Sequence, residues 1–321
     1  MDRPWRKSSR LGSESCRAIA GFARIVERSG GPHNRLVPPL AALTGLAACV
    51  SFRLKLHTRR QPRESLLSFR LGLVGVLWLV ASPAAAHFQT ILPSADVLPE
   101  GGTVTIDLVF THPAFDGPAM AMAAPRRFGM VRGGETVDLL ASLEPFTVDG
   151  ASAWRAEVAL PEPGAAVLFV EPEPYFEPAE GRHIVHYAKV VVDSWASGEG
   201  WDEQLGLPVE IEPLARPTGL WTGNLFRGVV RAHGEPVPYA EIEVAFVNDG
   251  RIALPNDAFG SQVIKADAQG VFAYAMPFAG WWGFAALTEA DETLPAPDGT
   301  PATVELGGLI WVRATDVVRA D

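Results

Sequence analysis

His87 follows Ala84-Ala85-Ala86, and small residues at positions 84 and 86 stand where a signal peptidase cuts. Cleavage after Ala86 would make His87 the first residue of an exported chain. A terminal histidine offers its α-amine and its imidazole Nδ1 together, closing a chelate ring on one metal ion. Nitrogen donors of this kind suit Ni²⁺, Co²⁺, Cu²⁺ and Zn²⁺, with affinity rising along the divalent series to Cu²⁺. The plainer reading of His87 is an ordinary frayed terminus.

His112 is the second candidate ligand, in Val109-Phe110-Thr111-His112-Pro113, where strand-like alternation ends and proline stops the ladder. A histidine on such a rim is accessible and firmly presented. The third lies in Arg182-His183-Ile184-Val185-His186-Tyr187-Ala188-Lys189. Strand side chains alternate faces, so His183 and His186, an odd number apart, cannot both face one site without a bulge. His186 lies deeper in the strand and is preferred, with His183 held as secondary.

Met120 and Met122 are further secondary candidates, since an extended backbone puts both thioethers on one face. Thioethers favour Cu(I), although methionine is as often a filler of core gaps. The stretch Glu171-Pro172-Glu173-Pro174-Tyr175-Phe176-Glu177-Pro178 is broken by prolines and reads as an ordered loop. Its carboxylates could supply oxygen ligands or merely attract a cation. No Ser-His-Asp elbow, phosphate-cradling glycine loop or HExxH helix occurs. The chain is therefore expected not to be an enzyme, and no small organic substrate is expected.

The elements that must hold these residues follow from charge and pattern. Of 27 basic residues, 14 lie in residues 1–86 beside only 4 of the 37 acidic ones, which leaves 13 against 33 and a charge of -20 beyond. A surface this acidic repels nucleic acid and concentrates cations. Residues 59–86 read as a signal peptide, with a basic start and an apolar run from Leu71 to Ala81 too short to anchor comfortably. Residues 1–58 read as a disordered or misassigned extension, although Leu46-Ala47-Ala48-Cys49 resembles a lipoprotein box. Cys16 and Cys49 are the only cysteines, so a chain starting at His87 carries no thiol, disulfide or thiolate metal site.

Beyond residue 87, short β-rich runs such as Thr103–Phe110 and Lys189–Val192 are bounded by Gly, Pro and Asp. This pattern predicts an all-β chain of two tandem antiparallel β-sandwiches, immunoglobulin-like or transthyretin-like. The proline-rich stretch from Pro208 to Pro217 places the boundary, giving domains over 87–213 and 214–321. The second resembles the transthyretin or carboxypeptidase-regulatory sandwich, with Asp267, Gly270 and Phe272 at hairpin positions.

The stretches AHFQ at 86–89, FTHPAFDGPAMAMAAPRRFG at 110–129, EPYFEPAEGRHIVHYAKVVV at 173–192 and GLPVEIEPLARPTGLWTGNLFRGVV at 206–230 resemble the DUF4198 family. That family is described as periplasmic components of nickel and cobalt uptake systems. The resemblance implies a periplasmic protein that captures Ni²⁺ or Co²⁺ and delivers it to a membrane permease driven by an ATPase. Carried over residue by residue, it implies His87, His112 and His186 as the ligands. Ala188 stands where the family often has threonine, and touches none of them. Two other readings stay open: a structural or adhesive envelope sandwich binding a partner or glycan, and a copper-dependent oxidase using an N-terminal histidine.

Overall fold

The structure is a computed structural model that describes residues 87–115 and 117–320. The expected extension, signal peptide and cleavage point lie outside the described residues. The N-terminal half contributes β1 (Phe88–Pro93), β2 (Val97–Leu98), β3 (Gly102–Thr111), β4 (Arg127–Arg132), β5 (Glu135–Asp138), β6 (Glu144–Val148), β7 (Ala151–Leu160), β8 (Gly164–Glu171), β9 (Tyr175–Glu177) and β10 (Arg182–Ser194). The remainder adds β11 (Val209–Pro213), β12 (Leu220–Trp221), β13 (Leu225–Ala232), β14 (Glu235–Pro236), β15 (Glu241–Phe246), β16 (Ser261–Lys265), β17 (Val271–Ala275), β18 (Gly280–Glu289), β19 (Leu294–Pro295), β20 (Pro301–Ala302) and β21 (Val304–Thr315). Helical structure is limited to two single 3-10 turns among the described residues, as the sequence pattern predicts.

Sequence patterning explains where each strand lies. In β3 Val104, Ile106 and Leu108 are buried while Thr103, Thr105 and Asp107 are not, the alternation of a strand with one face on a core. β8 and β10 are instead buried almost throughout, which requires layers on both sides. They belong to an 11-stranded sheet whose main path runs β16-β15-β18-β21-β10-β8-β4-β5. On one face lies β1, in the sheet β1-β3-β7-β6; Phe88 meets Trp311 edge-on at 5.9 Å, and Trp311 Nε1 donates to the Gln89 carbonyl at 3.0 Å. On the other face β11 crosses β21 so closely that a Cβ on Gly308 would stand 2.7 Å from the Val209 carbonyl oxygen.

Most ladders are antiparallel, but β10 and β21 pair in parallel from His183↔Val304 to Val190↔Trp311. A parallel pair needs a long crossover, and here everything between the two strands supplies it. The break expected after Pro213 therefore falls inside shared structure: β11 ends there, yet pairs with β13 from Val209↔Ala232 to Pro213↔Gly228. One apolar core gathers Phe88, Ile106 and Leu168 with Ile211, Phe226 and Trp311, and all described residues fall in one compact unit. The expected hairpin at Asp267–Phe272 does not form, but its turn does, with Gly270 at φ 76° and the Asp267 carboxylate accepting from the Gln269 and Val271 amides. Its flanking strands go to different sheets, β16 to β15 and β17 to β13, so it joins two layers.

The join is reinforced by a buried ion pair. Lys189 on β10, 1% exposed, donates to Glu210 on β11 at 2.6 Å, and that carboxylate also accepts from the Leu205 and Gly206 amides. Burial pushes the Lys189 ammonium below its ordinary range against the attraction of Glu210. Removing one partner strands a charge without solvent, which costs about 3–5 kcal/mol. Lys189→Ala should therefore lower the urea midpoint sharply. Lys189→Met combined with Glu210→Gln, which keeps an acceptor for the two amides, should recover most of the loss in the same denaturation series.

Candidate functional site

Strand register brings the first two candidate histidines together. β1 pairs antiparallel with β3 from Phe88↔Thr111 onward, so His87 and His112 are the next opposed pair beyond the ladder. Directly opposed residues of an antiparallel pair point the same way at short range. Their ring centroids are 4.3 Å apart with a 54° tilt. His87 also stacks on Phe110 at 5.7 Å.

A carboxylate completes the cluster. β9 pairs with β10 as Arg182↔Glu177 and Ile184↔Tyr175, placing Glu177 and Tyr175 on the same face as His186. Glu177 Oε2 lies 3.0 Å from His87 Nε2, and both side chains are nearly buried, at 12% and 11% exposure. Glu171 and Glu173, also in the proline-broken acidic stretch, turn to Arg127 and Arg126 instead. Parity along β9 selects Glu177, a choice that requires knowing that β9 pairs with β10.

Burial pushes the His87 imidazole below its ordinary value, outweighing the attraction of Glu177 and Glu180; the charge of His186 adds to the lowering. Near neutral pH, His87 is therefore the neutral ring, with one nitrogen lone pair available.

His186 is on the expected face but makes its own pairing. It is 2% exposed, meets Phe110 edge-on at 6.1 Å, and sets Nε2 3.2 Å from Glu305 Oε1. The register leaves Gly307 opposite His186, and a Cβ there would stand 2.9 Å from its Nε2. Glycine at that place is what lets the imidazole lie over β21. His183 points away, as odd spacing predicts, with Nε2 3.1 Å from the Pro295 carbonyl oxygen and its ring against Phe176. The two methionines do not form one exposed thioether face. Met122 is 5% exposed in the core, while Met120 is partly buried with its amide donating to the Phe110 carbonyl at 2.8 Å.

Carboxylates ring the histidines. Arg182 holds Glu180 at 3.2 Å and Glu305 at 3.1 Å. Glu243 is pushed up to about 7, first by burial and then by the charges of Glu305, Glu180 and Glu241. Among the described residues, no three His, Cys, Asp or Glu side chains already stand in a metal-holding arrangement. What lies close together is two imidazoles and a carboxylate, in an acidic field.

Residues 84–290 match the model of the domain of unknown function DUF4198. The chain belongs to the DUF4198 family. None of the curated proteins matches it. Solved structures align over much of the chain: the D0-D1 domain of intimin at 12% identity, 70% of this chain, 99% of that one and a TM-score of 0.19. The adhesin InvE of Yersinia pseudotuberculosis aligns at 12% identity, 68% and 58% coverage and a TM-score of 0.19. The I67-I69 fragment of titin aligns at 9%, 72% and 66%, with a TM-score of 0.18. These solved structures are β-sandwich domains of immunoglobulin type, and at such scores no functional argument passes from them.

The Glu243 carboxyl makes a pH prediction. Its folded value, about 7, lies above the ordinary 4.5, so the folded state binds this proton more tightly than the unfolded chain does. The resulting stability is fully present below about pH 4.5 and is lost as pH rises through 7. Glu243→Gln should accordingly raise the melting temperature at pH 8 while changing it little at pH 4.5. Calorimetric scans across that range read the difference directly.

Proposed function

We propose that this DUF4198 protein is a periplasmic carrier that captures a divalent transition-metal ion, Ni²⁺ or Co²⁺, and delivers it to a membrane permease energised by an ATPase. The observation that carries the reading is the opposition of His87 and His112 across the β1–β3 register, with Glu177 3.0 Å from His87. Nitrogen and oxygen donors are the set that borderline divalent ions take, with Cu²⁺ and Zn²⁺ able to compete. A neutral His87 suits this use because a ligating nitrogen must carry no proton. Binding at Nδ1 leaves the Nε2 contact with Glu177 in place, whereas binding at Nε2 exchanges it for the ion and makes Glu177 a co-ligand. If export leaves His87 at the amino terminus, its α-amine adds a further donor. The surplus of 33 acidic over 13 basic residues beyond residue 86 draws cations toward the cluster.

Calorimetric titration with Ni²⁺, Co²⁺, Cu²⁺ and Zn²⁺, on exported protein whose first residue has been sequenced, tests the reading. One equivalent should bind, and His87→Ala or Glu177→Gln should weaken it at least tenfold, the scale on which even outer-sphere changes act. If none of the four ions binds better than micromolar, metal capture is ruled out. Retention of the cellular role after removing His87, His112 and His186 together would point to a structural or adhesive role.

A further inference from the structure

His186 is oriented by a carboxylate, and its second nitrogen has no partner. The Glu305 carboxylate accepts from His186 Nε2 at 3.2 Å. Nδ1, the second ring nitrogen, is buried and without a hydrogen-bond partner. A buried polar atom of this kind calls for something to meet it.

The direction of Nδ1 follows from the rest of the ring. Its Cδ2–Nε2 edge lies against Gly307 and reaches Glu305, both on β21. The opposite edge, which carries Nδ1, is turned away from β21 toward the β9 flank of β10. On that flank a cavity of about 60 Å³ is lined by Gln89, Phe110, Met122, Tyr175, Ile184 and His186. Met122 is 5% exposed. Met120 does not line this space.

We propose that His186 Nδ1 and the Met122 thioether form a second cation site, selective for a soft monovalent ion of the Cu(I) class. A carboxylate that takes the other ring hydrogen is the usual partner of a metal-bound histidine, fixing its tautomer and raising its basicity. A thioether in the donor set selects Cu(I) over Ni²⁺ or Co²⁺. The Phe110 and Tyr175 rings, edge to face at 5.1 Å, wall the cavity with aromatic surface that attracts a cation. The site uses none of His87, His112 or Glu177, so it stands or falls apart from the proposed capture of divalent ions.

The test uses the full chain with Cys16→Ser and Cys49→Ser, which removes every thiol. Ag(I), a redox-inert probe, is titrated against a competing chelator, and Cu(I) is loaded anaerobically for X-ray absorption. One equivalent of Ag(I) should bind, shift the His186 Nδ1 resonance in nitrogen-detected NMR, and bind at least tenfold more weakly to Met122→Leu. Met120→Leu should bind as the parent does, and Ni²⁺ titration of Met122→Leu should be unchanged. Leucine is close in volume to methionine, so the variant should fold; should it not, a sulfur scatterer around Cu(I) in the Met120→Leu chain decides the matter. Unweakened Ag(I) binding by a folded Met122→Leu, or no Ag(I)-induced shift at His186 in the parent, overturns the proposal and leaves the cavity to ordered water.

Discussion

The antiparallel register of β1 on β3 is the constraint from which the site follows. With Phe88 opposite Thr111, His87 and His112 must face one another just past the last paired residues, and the ring contact follows without any further contrivance. A slip of one residue would send the two side chains to opposite faces. The register is held because β1 is buried throughout and locked to the large sheet by Phe88 against Trp311 and by the Trp311 bond to the Gln89 carbonyl. A core contact therefore sets the geometry of the histidine cluster.

The same sheet links the two halves of the chain. β10 carries His186 on the face toward β1 and Lys189 on the face toward β11, so one strand serves both the histidine cluster and the buried ion pair. β21, the last strand, supplies Gly307 beneath His186 and Glu305 beside it. Residues from both halves thus build the surroundings of His186. The proposed role cannot be assigned to one half alone, because the carboxylate that orients His186 is reached only after the chain has returned from more than a hundred residues away.

Charge and donor type divide this face. His87, His112 and Glu177 offer nitrogen and oxygen near the surface, within a field of carboxylates that Arg182 only partly offsets. Deeper, His186 and Met122 border a cavity walled by aromatic rings. Crowded carboxylates carry an energetic cost, visible in Glu243 being pushed up to about 7. Accepting that cost at a place where cations are proposed to bind is consistent with a surface shaped for ligand attraction as much as for stability.

By itself the sequence determined the all-β class, the strand-like alternation around Val104–Leu108, the turn at Gly270, the acidic excess, and the separation of His183 from His186 by parity. These depend on local chemistry: side-chain period, turn propensity and charge, each readable within a few residues. The choice of Glu177 over Glu171 and Glu173, the pairing of His186 with Glu305, the burial of Met122 and the parallel union of β10 with β21 were decided only by the tertiary structure. Which strand lies beside which, and in what register, depends on how distant segments share one core; no local pattern encodes that, because each strand could satisfy its backbone against many neighbours and only collective packing selects one.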